Sequence, residues 1–125
     1  HDPYVDHWYE LESQETYPAP GLSWSRYFRK QDGLADLRIQ KDLPAALEGA
    51  EAIILAVPHE PYLDLDPDDV VNWAGGPLAV IDCFAILDDA KIRRYIELGC
   101  DVKGLGRGHI LKIRKEVRDS VGRQG

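Results

Sequence analysis

From residue 42 onward the chain alternates between two apolar spacings. Asp42 is placed to cap a helix in which Leu43, Ala46 and Leu47 recur at helical spacing and Gly49 acts as a stop. Ala52-Ile53-Ile54-Leu55-Ala56-Val57 follows, a continuous apolar run between Glu51 and Pro58. Such a run predicts a strand buried on both faces. Asp66-Pro67-Asp68-Asp69 is a helix start, with an N-cap carboxylate, Pro at the first helical position and acids in the first turn. That helix carries Val70, Val71 and Trp73 and ends at Gly75-Gly76-Pro77. Leu78-Ala79-Val80-Ile81 predicts a second buried strand. Asp88 or Asp89 caps a further helix with Ile92, Tyr95, Ile96 and Leu98 on its apolar face and Gly99 just beyond it. Asp101 to Leu105 reads as a third, shorter strand. Ile110, Ile113 and Val117 recur at i, i+3, i+7 and predict a final helix from Ile110 to Val121.

Helix and strand in strict alternation imply a parallel sheet with right-handed crossover helices. The expected fold class is α/β, a Rossmann-like three-layer sandwich with a mainly parallel sheet. Three strands are few for it. Tyr4-Val5 and a segment at Leu37 to Ile39 are candidate edge pieces, and an N-terminal strand is expected to lie upstream of His1. Residues 1–41 read differently from the rest. Pro3, Pro18, Pro20, Gly21 and Gly33 break regular structure, and Tyr4, Trp8, Tyr9, Tyr17, Trp24, Tyr27 and Phe28 are expected to dock the segment on a body. The expected organisation is an irregular, aromatic-rich part over 1–41 and an α/β core with a C-terminal helix over 42–125.

Composition narrows the class. At 125 residues, 44% hydrophobic and 30% charged, the chain matches one ordinary globular domain. No apolar run approaches the roughly 18 residues of a membrane span. The absence of Met, with His at position 1, marks the chain as an expected piece of a longer protein. The net charge is −7, unevenly spread: from Lys103 onward seven basic residues face two acidic ones, leaving −12 on residues 1–102. The acidic body argues against a nucleic-acid binder working by phosphate neutralisation. The basic end is either a solvated helix end or a contact for RNA or an acidic partner. Cys83 and Cys100 have neither a CxxC nor a zinc spacing and are expected to be reduced residues of a cytoplasmic protein.

Ligands of open α/β sheets bind beyond the carboxyl ends of the strands. Three segments hold that position: Pro58-His59-Glu60-Pro61-Tyr62, Asp82-Cys83-Phe84-Ala85, and Gly104-Leu105-Gly106-Arg107-Gly108-His109. His59 either meets a substrate or is satisfied by backbone, and Asp82 either meets a ligand or caps its loop. Cys83 as a nucleophile would need His59 as its base. The glycine stretch offers N–H groups for a phosphate beside Arg107. Its spacing is G-x-G-x-G rather than the dinucleotide fingerprint G-x-G-x-x-G. His59, His109 and a cysteine have no zinc spacing.

Several segments, in order, resemble the C-terminal domain of the UDP-glucose/GDP-mannose dehydrogenase family. They are His1-Asp2-Pro3-Tyr4-Val5, the helix–strand unit Asp42 to Val57, His59 with Tyr62, Leu78 to Asp82, and Leu98 to Gly108. The resemblance covers roughly residues 1–6 and 42–109. It implies a nucleotide-sugar-binding domain, UDP-sugars foremost, of an enzyme that oxidises a C6 alcohol to the acid in two NAD-dependent steps through a thiohemiacetal on cysteine. The substrate-binding residues it implies are His59, Asp82, Cys83, Phe84 and Arg107. NAD belongs to the full-length parent, none is expected on this fragment, and neither Cys83 nor Cys100 inherits the catalytic role. The implied partners are the NAD-binding and central helical domains of the same chain, with no membrane and no nucleic acid.

Two departures stand against the resemblance. Many members carry Asp-Gly-Arg after the second buried strand, where this chain has Asp82-Cys83-Phe84-Ala85 without an arginine. Asp6 to Gly33 is an aromatic insert with no counterpart. These departures support the alternative of a non-catalytic Rossmann-like module that binds a nucleotide or a protein. A receiver-like domain with Asp82 as acceptor would need an acidic pair at an earlier strand end, and the sequence has none.

Overall fold

A computed structural model describes residues 1–5 and 38–124, which divide between two compact units, His1–Ala46 and Leu47–Gly125. In the first, the Asp2 carboxylate accepts the N–H groups of Tyr4 (2.7 Å) and Val5 (3.2 Å), closing a turn around Pro3. Tyr4 and Val5 form no strand, and residues 38–40 are likewise irregular, so neither expected edge piece is present there. Leu37 and the aromatic stretch 6–36 lie outside the described residues. Helix α1 spans Leu43–Leu47, and its Ala46 N–H donates to the Asp42 carbonyl.

The second unit continues with β1 (Ala52–Leu55), α2 (Glu60–Leu63), α3 (Pro67–Ala74), β2 (Ala79–Asp82), α4 (Asp89–Glu97), β3 (Asp101–Gly104) and α5 (His109–Gln124). The stop and start signals act as their chemistry requires. The Asp66 carboxylate accepts Asp68 N–H at the head of α3, and Pro67 fills the first position, where no N–H is needed. Gly75 closes the helix at φ 89°, a left-handed conformation that glycine adopts without a Cβ clash. Asp88, rather than Asp89, caps α4 by accepting Lys91 N–H at 2.8 Å.

The three strands are parallel in the order β1-β2-β3, with Ile53, Val80 and Val102 abreast and Leu55, Asp82 and Gly104 abreast one layer further. This is a parallel α/β, Rossmann-like fold. Right-handed crossovers through strands added in one direction place α3 and α4 on one side of the sheet, and α5 packs against α4 and β3. Val80, Asp82, Val102, Val70, Ile92, Tyr95, Ile110, Ile113 and Val117 are buried in that layer. The Arg94 guanidinium ties α4 to α3 through both oxygens of Asp68, at 2.9 and 2.6 Å.

The opposite face corrects the sequence reading. β1 is not buried on both sides: Ala52 is exposed and Ile54 is 64% exposed, while Ile53 is half-buried and Leu55 buried. On that face of β2, Ala79 and Ile81 are half-buried. The reason is topological, because α3, α4 and α5 all cover the Val80 side. Among the described residues no helix is long and apolar enough to cross a membrane.

Candidate functional site at the carboxyl ends of the strands

The most organised feature at this end of the sheet is Asp82, the last residue of β2 and fully buried. One carboxylate oxygen accepts the N–H groups of Phe84 (3.1 Å) and Ile86 (3.0 Å). The other accepts Leu87 N–H (3.0 Å) and Arg107 Nη1 (2.8 Å). A buried carboxylate is tolerable only when bonded in this way. Burial opposes its ionisation, but the Leu87, Ile86 and Phe84 N–H groups and the Arg107 guanidinium outweigh it and hold its carboxyl below the usual range. Of the two readings open for Asp82, the geometry therefore supports the loop-organising one. The loop folds around the carboxylate tightly enough that Ala85 takes φ 52°, a left-handed conformation unusual for a residue with a Cβ.

Asp82 and Arg107 were separate candidates in the sequence, and the fold makes them one unit. The register sets Gly104 beside Asp82, and Leu105 N–H donates to the Asp82 carbonyl. The chain then turns through Gly106 at φ 68° and returns Arg107 over the strand end. Gly104 permits the return: a Cβ there would stand 2.9 Å from Arg107 Cδ and 3.1 Å from Ile110 Cδ1. The Arg107 side chain keeps 13% of its surface exposed, so it still meets solvent. Within the turn, Arg107 N–H donates to Gly104, whereas the Gly106 and Gly108 N–H groups reach no carbonyl among the described residues. His109 Nε2 lies 3.0 Å from Asp89, joining the heads of α5 and α4.

The remaining candidates surround this unit. Cys83 N–H donates to the Leu55 carbonyl, which continues the β1–β2 ladder one residue past the strand. Cys83 is half-buried and Cys100 buried, and both are free thiols. Phe84, next in the loop, is 57% exposed. His59 sits at the N-cap of α2 with no side-chain capping bond, its ring 5.8 Å from that of Tyr62. Helix α2 leaves no periodic signal in the sequence, since four residues are too few to show a period. The Asp82–Arg107 pair had one usable signal in the sequence: a glycine and a basic residue just after the strand that follows Asp82. Among the described residues no group of three or more His, Cys, Asp or Glu is placed to hold a metal ion.

No protein-family model, curated protein or solved structure matches this chain.

Proposed function

We propose that the chain is the nucleotide-sugar-binding domain of an NAD-dependent nucleotide-sugar 6-dehydrogenase, with a UDP-sugar as the favoured ligand. The observation that carries the reading is the gathering of the Asp82–Phe84 loop and the Arg107 turn at one end of a parallel sheet, in the chain order of the resembling motifs. Ligands of open α/β sheets sit there. The diphosphate would lie against the Gly106 and Gly108 N–H groups, with the exposed part of Arg107 supplying positive charge. Phe84 offers an aromatic face at the loop tip, and His59 stands at the end of the neighbouring strand. Asp82 serves indirectly by fixing the loop and orienting Arg107. In this reading the chain binds and positions, while NAD and the nucleophilic cysteine belong to other domains of the parent.

A specific observation favours a second reading, a non-catalytic nucleotide-binding or protein-interaction module. The Arg107 guanidinium is already bonded to Asp82, and the Cys83-Phe84-Ala85 loop adds no arginine of its own. Calorimetric titration with UDP and UDP-glucose separates the first reading from a protein-interaction module. The dehydrogenase-domain reading expects millimolar or tighter binding of UDP, weakened by Arg107→Lys, which keeps the charge and loses the planar fork. Absence of binding to the folded chain overturns it in favour of the interaction module.

A further inference from the structure

The outer edge of β3 is unpaired, since β3 ends the sheet and no described strand lies beyond it. Along a strand, backbone groups point to alternate sides. Leu105 N–H donates to Asp82, so Asp101, Lys103 and Leu105 face β2, and Val102 and Gly104 turn their N–H and C=O groups outward. The Val102 carbonyl bears this out: it accepts Arg114 Nη2 at 2.8 Å, a guanidinium standing where a neighbouring strand would donate. Arg114 is held there by Asp101 at 2.9 Å. An open edge with outward backbone groups is a template for another strand.

The side chains say which strand fits. Laid antiparallel on itself about Val102, β3 is self-complementary. Val102 meets the partner's Val102 in a hydrogen-bonded pair, and Asp101 and Lys103 meet the partner's Lys103 and the partner's Asp101. Those flanking positions are the close, non-hydrogen-bonded kind, with Cα atoms about 4.5 Å apart. Asp101 and Lys103 are both exposed, and Lys103 has no ion-pair partner among the described residues. A groove of about 420 Å³ runs beside the edge, walled by Val102, Ile110, Leu111 and Arg114 and also by the Gly106–Gly108 turn. Leu111 is 68% exposed in it, an apolar side chain that a two-fold axis would set over the same seam as its symmetry mate. The other edge without a described neighbour, β1, carries only Ala52 and Ile54 at the corresponding outward positions and has no such charge pairing.

We propose that the β3 edge is a self-association surface: two copies of this chain join their sheets antiparallel through Val102, with Arg114 as a latch that must leave the Val102 carbonyl. Because an exchange of partners on Val102 opposes pairing, Arg114→Ala tightens the dimer. Self-association needs no bound nucleotide, although the groove is shared with Gly106, Arg107 and Gly108 of the proposed nucleotide site, and it is measured without nucleotide.

Sedimentation equilibrium on the full 125-residue chain tests it, with circular dichroism verifying that each variant is folded. The wild type should show a reversible monomer–dimer equilibrium between micromolar and near-millimolar concentration. Lys103→Asp and Asp101→Lys each place like charges opposite one another twice; Lys103→Asp should weaken the dimer about tenfold or more, and Asp101→Lys less, because it also frees the Arg114 latch. Mixing those two variants should restore association as a heterodimer, because every facing pair is then of opposite sign. Ile54→Lys should leave the equilibrium unchanged. The proposal is overturned if wild type and Arg114→Ala are both monomeric throughout. It is equally overturned if Lys103→Asp dimerises like wild type, if the mixture fails to associate, or if Ile54→Lys abolishes the dimer instead.

Discussion

The two faces of the sheet carry similar residues and have different fates. On one, Val80 and Val102 are sealed beneath the helical layer, and Asp82 is buried with its oxygens fully used. On the other, Ile54 lies in the same strand run as buried Leu55 and is 64% exposed. A continuous apolar stretch marks a strand but does not say how many sides are covered. Coverage comes from where the crossovers travel, and here strand order and handedness send them the same way. The covered face then becomes the place where polar chemistry can be fixed, because only there is a carboxylate held away from water by a full set of donors.

The contrast can be broken most forcefully at Asp82. Asp82→Ala leaves the loop N–H groups and Arg107 without their acceptor and should cost about 3–5 kcal/mol in urea unfolding. A loss under about 1 kcal/mol would mean that the buried carboxylate organises nothing. The same group predicts a pH signature. Its folded-state pKa is depressed, so its stabilisation is fully present above the unfolded carboxyl value of about 3.9 and disappears as pH falls through the folded value. The stability gap between wild type and Asp82→Asn should therefore be widest at neutral pH and shrink on acidification. A gap that does not change with pH would detach the effect from ionisation.

Smaller effects sharpen the comparison. Val80→Ala, at a fully buried position, should cost roughly 2–3 kcal/mol from lost burial and the cavity left behind. Gly104→Ala should cost about 1–3 kcal/mol, because the new Cβ pushes on Arg107 and Ile110. It should also displace Arg107 from Asp82, seen as a shift of the Arg107 side-chain NMR resonances. Ile54→Ala should change stability by no more than about 0.5 kcal/mol. If it costs as much as Val80→Ala, the open face is covered in solution and the contrast fails.

Much of the fold was legible because its signals are local. Asp66-Pro67 and Asp88 mark helix heads through bonds to N–H groups two or three residues away. Gly75 and Gly99 mark helix ends through positive φ. The i, i+3, i+7 set of Ile110, Ile113 and Val117 found its buried face as spacing requires. The candidate site was legible only as a set of positions. His59, Asp82, Cys83, Phe84 and Arg107 follow strands by simple order, but order does not show that Asp82 and Arg107 bond to each other, or that Phe84 points outward while Asp82 points in.

What the amino-acid sequence determined by itself is the succession of helices and parallel strands and the end of the sheet where chemistry gathers, since both follow from period, caps and connection length. What only the tertiary structure decided is which apolar residues are covered, and that a carboxylate and a guanidinium 25 positions apart form a single unit. The physical reason is register: Asp82 and Gly104 become neighbours through hydrogen bonds between strands, and such a bond leaves no mark in the spacing of residues along either one.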